Sequence, residues 1–238
     1  RYKALIDNTI TNAFQADLTT RGTGSNMGQS DILEVFTIYN QVSNSSGASR
    51  ENERILIKFD IDSLKADQTA GIVPSGSTYH LNLFNARHVG TTPFHLNLEV
   101  LDISSPWAEG LGLDMEDYED LTFNVTGSNW EKRPGNPSWT TPGGDSGSYS
   151  YDVSMPTGME NLSVDITSLV NDWLIHTDST GLQNNGVIIQ VASGSAALNK
   201  SYYTKKFYGR ASHRFFDRPY IEARWDSATI DDRGNFYA

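Results

Sequence analysis

Apolar and polar residues alternate in short segments along most of the chain. In residues 54–61 (RILIKFDI), isoleucines and a phenylalanine alternate with charged residues, and Leu56 is the one apolar residue on the polar side. A period of two is typical of a β-strand with one buried face. Further predicted strands are 32–39, 79–85, 94–101, 162–166, 186–192, 202–208 and 219–225.

Turn-forming sequences separate these predicted strands, as in NSSGASREN (44–52) and PSGS (74–77). The segment 165–176 differs, because its apolar residues recur at helical spacing after Thr167, a residue suited to an N-cap. Many short strands with one helix indicate a sandwich. The sequence therefore predicts an all-β, jelly-roll-like antiparallel β-sandwich with one short helix near 167–175.

The chain shows no internal repeat and no low-complexity linker, so we expect a single domain over residues 1–225. Within it, residues 104–160 contain few strand-like segments and are expected to form a long loop insertion that carries the protein's specificity. The polar segment 226–238 is expected to be a C-terminal arm or a linker into a further region.

Composition and charge exclude several classes of function. A net charge of −11 disfavours a nucleic-acid groove, which needs a positive surface. The absence of cysteine removes disulfides, thiol nucleophiles and cysteine-ligated zinc. No apolar run of about 18 residues indicates a membrane span. The histidines and glycines form no zinc-protease motif or phosphate loop.

The stretch PGGDSG (142–147) contains the four residues Gly-Asp-Ser-Gly that surround the nucleophile of chymotrypsin-like proteases. Three histidines precede Ser146, but none has the Ala-Ala-His context of that family, and no Gly-Gly-Pro follows the serine. We therefore interpret the stretch as a turn in which Asp145 caps or anchors the chain.

The acidic segment 107–121 allows three interpretations. It can be a solvated loop, which requires no partner and is the simplest interpretation. It can bind calcium through Glu109, Asp114, Glu116 and Asp117, although the ligand spacing of an EF-hand is absent. It can also hold the two carboxylates of a glycosidase. Apart from calcium, no cofactor is expected.

Aromatic residues are the candidates for carbohydrate binding, because sugar rings stack on aromatic faces. The candidates are Trp107, Trp130, Trp139, Tyr149 and Tyr151, and burial in a core is the alternative for each tryptophan. The C-terminal third adds lysines and arginines interspersed with aromatics. These cations either hold acidic glycans or the acidic loop of a neighbouring subunit, or simply face outward from strands whose aromatics are buried.

Several motifs together resemble DNRLRE-type domains, which are β-sandwich modules related to carbohydrate-binding modules and found in secreted and virion proteins. The motifs are NTIT (8–11), NMGQSDILEV (26–35), RILIKFDI (54–61), SPWAEGLG (105–112), SWTTPGGD (138–145), VDITSLVNDWL (164–174), NNGVIIQV (184–191) and FYGRASHRFFDRPYIEARW (207–225). EGLGLDMEDYED, SYYTKKFYGR and the C-terminal sequence further resemble virion structural proteins of tailed, especially marine, phages.

The resemblance implies a structural turn at PGGD and a non-enzymatic virion protein: a capsid decoration, fibre or tail-appendage component. Its expected partners are other virion proteins, further copies of itself and host-surface polysaccharide, with no nucleic acid or membrane. The first alternative is a carbohydrate-binding module of a secreted or cell-surface protein, which would be extracellular. The second is a polysaccharide-active enzyme.

Overall fold

The computed structural model describes residues 1–44, 47–87, 95–113, 127–135, 137–177, 180–192 and 204–226. Within these ranges the helices are α1 (Ile61–Thr69) and α2 (Thr167–Leu174), and a 3-10 turn covers Phe215–Asp217. The strands are β1 (Tyr2–Thr11), β2 (Ile32–Asn44), β3 (Gly47–Phe59), β4 (Thr78–Leu83), β5 (Leu96–Ile103), β6 (Ser146–Met155), β7 (Leu162–Asp165), β8 (Val187–Val191), β9 (Thr204–Tyr208) and β10 (Tyr220–Arg224).

All the strand pairings described are antiparallel, in the order β6-β5-β8-β3-β1-β10-β4-β7, and β2 pairs with both β3 and β9. Strand β1 joins the two halves of this sheet. Tyr2 and Lys3 pair with β10, and the register with β3 shifts between Ala4 and Ile6. The sheet is nearly barrel-like, and the predicted all-β fold is confirmed.

The main hydrophobic core contains residues from β1 to β10 and from both helices. The alternation predicted for residues 54–61 is observed, because Ile55, Ile57 and Phe59 are all fully buried there. Burial of such side chains removes apolar surface from water and is the dominant favourable contribution to folding. The period-two pattern therefore identified the inner face of β3 correctly.

Helix α2 confirms the predicted helix, but its cap differs from the prediction. Ile166 occupies the N-cap position, and Thr167 is the first helical residue. The Thr167 hydroxyl accepts a hydrogen bond from Tyr79 N at 2.8 Å, while Asp165 Oδ1 accepts from Thr167 N at 2.9 Å. The threonine therefore links the helix to β4 instead of capping it.

The sequence prediction of a single helix is wrong, because α1 is a second one. Asp60 is its N-cap and accepts hydrogen bonds from Ser63 N (3.0 Å) and Ser63 Oγ (2.6 Å). Only Ile61 and Leu64 of this helix are buried. So small an apolar face gives a weak helical pattern, and the predicted strand 54–61 wrongly included Ile61.

The expected loop insertion 104–160 contains strand β6, which the prediction missed. Its outward-facing residues are Ser150, Asp152 and Ser154, and its composition is rich in serine, so it lacks the apolar density of the other strands. β6 pairs with β5 and lies at one end of the strand order. Of the predicted C-terminal arm, residues 227–238 lie outside the described residues.

Candidate functional site

Three of the five aromatic candidates form a second hydrophobic cluster, which we call the outer core. Trp107, Trp130 and Trp139 are 7%, 5% and 4% exposed. They cluster with Leu56 and other apolar residues of the strands, namely Ile10, Ile103 and Ile188. Leu56, the exception to the alternation in β3, is fully buried in this cluster. Part of the expected loop insertion thus covers the face of the sheet opposite the main core.

Polar contacts hold the tryptophan side chains within the protein. Trp107 Nε1 donates to Asn185 O at 2.7 Å, and Trp139 Nε1 donates to Asn129 O at 2.8 Å. The guanidinium of Arg54 lies 5.0 Å from the centre of the Trp130 ring. The indole N–H groups of Trp107 and Trp139 and the ring of Trp130 are therefore engaged inside the molecule, which matches the burial alternative.

The PGGDSG stretch forms a tight, anchored turn. Gly143 and Gly144 adopt φ values of 90° and 110°, which favour glycine. Asp145 is buried; its Oδ1 accepts from Thr141 N and its Oδ2 from Ser105 Oγ, both at 2.9 Å. The predicted turn and the anchoring role of Asp145 are confirmed, and Ser146 is an exposed residue that begins β6.

Tyr149 and Tyr151 lie apart from the tryptophans, because they pack against the main core from β6. Their half-buried rings are stacked, with centroids 6.2 Å apart and planes within 9°. Tyr149 Oη donates to Asp172 Oδ2 at 2.7 Å, and this bond, with burial, raises the pKa of Tyr149 to about 12. The five aromatic candidates are thus divided between the two faces of the sheet.

Glu109 is a partner of an arginine in its own chain. Arg210 Nε and Nη2 donate to Glu109 Oε1 at 2.9 and 2.7 Å, and Nη2 also donates to Oε2 at 2.7 Å. Glu109 Oε1 accepts from Asp7 N as well, at 3.0 Å. The other calcium candidates, Asp114, Glu116 and Asp117, lie outside the described residues. Glu109 therefore connects its loop to β1 and to the turn after β9.

Other cations of the C-terminal third also bind their own chain. Lys205 is fully buried, and its Nζ donates to Asn85 Oδ1 at 2.6 Å and to the carbonyls of Gly158 (2.9 Å) and Glu160 (2.7 Å). Lys206 forms a 3.0 Å ion pair with Glu34. These contacts fix β9 to neighbouring loops and to β2.

Two asparagines that the sequence reasoning missed connect the loops around the outer core. Asn26 Nδ2 donates to the carbonyls of Glu109 (2.7 Å) and Ser128 (2.8 Å), and its Oδ1 accepts from Gly112 N at 3.0 Å. Asn8 Nδ2 also donates to Ser128 O, at 2.9 Å. The glycines of the EGLG motif were the available signal, because they permit close approach to Asn26.

Asp7 is a fully buried carboxylate beside the Arg210–Glu109 pair. Its Oδ2 accepts from Arg210 N, whereas its Oδ1 is buried without a hydrogen-bond partner in the described structure. Burial raises the pKa of Asp7 to about 7; the Glu109 carboxylate adds to this effect, and the Arg210 N–H opposes it. Asp7 is therefore protonated far more readily in the folded protein than in the unfolded chain.

We expect this residue to make the protein less stable as pH rises. The unfolded pKa is about 3.9 and the folded pKa is higher, so the stabilisation is fully present below about pH 4 and is lost as pH rises through 7. A shift of about three pKa units corresponds to a loss on the order of 4 kcal/mol over this whole pH range. Urea unfolding at pH 4.5, 6 and 8 measures the free energy of unfolding, which should fall less with rising pH in Asp7→Asn than in the parent. Asp152→Asn, at an exposed carboxylate, is the control and should show the same fall as the parent. If the free energy of unfolding of Asp7→Asn fell as much as that of the parent, the assignment to Asp7 would be contradicted.

Two broader observations bear on the site. Among the described residues, no group of three or more His, Cys, Asp or Glu side chains is arranged to hold a metal ion. None of the helices described is long and apolar enough to cross a membrane.

A scan against protein-family models finds no match, and a search of curated proteins likewise finds none.

Proposed function

We propose that the protein is a non-enzymatic structural component of a virion and acts through contacts with other proteins and with its own copies. The observation that carries this proposal is the outer core. Part of the expected insertion is packed onto the sheet with its three tryptophans buried, and is not an open, aromatic-lined cleft. Such packing gives a rigid body suited to repeated contacts in an assembly.

Hydrogen bonding supports the same view of these loops. Asn26 and Asp145 are buried, and each binds backbone or side-chain groups from more than one segment. Buried polar groups with complete hydrogen bonding hold one conformation, because any alternative leaves them unsatisfied at a cost of about 1–3 kcal/mol each. A structural subunit benefits from this rigidity, whereas an enzyme also needs an accessible reactive group.

Two residues from the features that suggested catalysis have structural contacts: Asp145 anchors the turn before Ser146, and Glu109 is held by Arg210 through both carboxylate oxygens. The other carboxylates of the acidic segment lie outside the described residues. The virion location itself comes from the resemblance to DNRLRE-type domains and phage virion proteins, and it is part of the proposal.

Mass spectrometry of purified particles from a phage whose genome encodes this chain is the direct test. We expect peptides of the chain at a fixed ratio to the major capsid protein after density-gradient purification. An abundant non-structural protein of the same phage is the control and should be lost during purification. Loss of the chain together with that control would refute the proposal.

A second candidate function, carbohydrate binding, is favoured by the stacked pair Tyr149 and Tyr151 at the sheet edge. On a glycan array, binding by this pair would weaken at least tenfold in Tyr149→Ala. The matched control is Phe216→Ala, which removes an 82% exposed ring elsewhere and should bind as the parent does. Absence of binding by the parent would exclude this candidate for the glycans on the array.

A further inference from the structure

A pocket of about 260 Å³ lies between β2, β3 and β8 and is lined mainly by polar side chains. We call it the arginine pocket. Its lining residues are Phe36, Thr37, Arg50, Asn52, Glu53, Arg54, Gln190 and Val191. Strand β3 supplies half of these residues, so the pocket is built on a paired strand and does not depend on a loop tip for its shape.

The two arginines bring positive charge to the pocket, and no acidic partner contacts either of them among the described residues. Neither Arg50 nor Arg54 belongs to the ion pairs seen in the described part of the chain. Arg54 Nη1 donates to Gly143 O at 2.9 Å, and burial, with Arg50 nearby, lowers the pKa of Arg54 to about 10. The negative charge of Glu99 partly offsets this lowering of the pKa of Arg54. The Glu99 carboxylate itself accepts hydrogen bonds from Gln190 and Ser150.

Glu53 is the second unusual residue of the pocket. It is 3% exposed, and its Oε2 is buried with no hydrogen-bond partner in the described structure. Burial, followed by the nearby Glu34 carboxylate, raises the pKa of Glu53 well above its ordinary value. Glu53 and Arg54 are adjacent in β3, so their side chains point to opposite faces of the sheet, and the carboxyl group of Glu53 does not pair with the guanidinium of Arg54.

We propose that the arginine pocket binds the carboxylate group of a small ligand. Guanidinium groups present paired N–H donors that match the two oxygens of a carboxylate. A singly charged ligand of few atoms suits the small volume, and Phe36 gives an apolar wall for its carbon atoms. The proposal is independent of the virion role, because a pocket for a small anion is compatible with any function of the sandwich.

Side-chain NMR of the arginines tests the proposal directly. We would titrate sodium acetate at pH 6 into ¹⁵N-arginine-labelled protein and follow the guanidinium Nε–H resonances, with sodium chloride at equal ionic strength in parallel. We expect saturable shifts of the Arg50 and Arg54 signals with acetate only. Arg50→Met, at an exposed position, should weaken acetate binding at least fivefold.

Arg214→Met is the matched control, because it removes an exposed arginine elsewhere and should bind acetate as the parent does. Equal shifts in acetate and chloride, or parental affinity in Arg50→Met, would overturn the proposal. A third titration with sodium phosphate distinguishes the type of anion. Saturable binding of phosphate without binding of acetate would overturn the assignment to a carboxylate.

Discussion

Trp139→Ala is expected to lower the free energy of unfolding by about 3–5 kcal/mol, the usual cost of truncating a buried tryptophan. Trp139 is 4% exposed in the outer core. Its removal leaves a cavity in the cluster that contains Trp130 and Leu56. The carbonyl of Asn129 also loses the hydrogen bond that the indole N–H donates to it. The loss should be global, because the outer core packs directly on strands of the main sheet.

Urea unfolding followed by far-UV circular dichroism measures this effect. Phe216→Ala is the control: it truncates an aromatic ring that is 82% exposed and should change stability by less than about 0.5 kcal/mol. An unfolding free energy unchanged by Trp139→Ala would show that the ring is not packed as described. If a glycan interaction disappeared in such a stable variant, Trp139 would be a surface residue that stacks on sugar.

The same reasoning changes how carbohydrate binding should be tested. Loss of binding in Trp107→Ala or Trp139→Ala cannot identify a sugar platform, because both rings are interior groups whose removal disturbs the scaffold. Tyr149 is the better probe, since it is only partly buried. Its ring still packs on the main core, so stability has to be measured alongside binding.

The inner face of the sheet was predictable from sequence because strand periodicity is local. Ile55, Ile57 and Phe59 point to one side whatever their partners are. Leu56 was noted only as an exception to this alternation, and the structure shows that the opposite face is covered as well. What covers it could not be deduced, because Leu56 meets Trp107 and Ile188, which are distant in sequence. Pairing across such distances is not encoded in any short window.

The sequence prediction missed strand β1, helix α1 and strand β6, and the last two have weak local patterns. Helix α1 buries only Ile61 and Leu64, and β6 is an edge strand whose outward positions are serine and aspartate. Neither produces the apolar periodicity on which prediction depends. Both become stable through tertiary contacts, and these were not available from the sequence.

The candidate site shows the same division between local and long-range information. The turn at PGGDSG and the anchoring role of Asp145 follow from residue types, because glycine and aspartate have well-defined turn chemistry. The opposite charges of the acidic segment and the C-terminal third were visible, and contact between neighbouring subunits was one interpretation of them. In the structure, Arg210 binds Glu109 of its own chain, 101 residues away.

The second large effect is expected for Gly112→Ala, at about 4 kcal/mol of destabilisation. A Cβ atom on Gly112 would overlap the backbone carbonyl of Asn26, which is part of a buried segment and cannot move aside as a flexible side chain does. Displacing Gly112 would also break the hydrogen bonds from its N to Asn26 Oδ1 and from Gln29 N to its carbonyl.

Gly76→Ala provides the matched comparison, because Gly76 has a φ of 91° and no atom within 4 Å of an added Cβ. Its cost should be about 1–2 kcal/mol and should come from backbone conformation alone. Thermal unfolding of both variants measures the difference, with Gly112→Ala the less stable by several degrees. Equal melting temperatures would mean that the 108–112 segment does not pack against Asn26, and the rigidity attributed to the loops around the outer core would lose its main support.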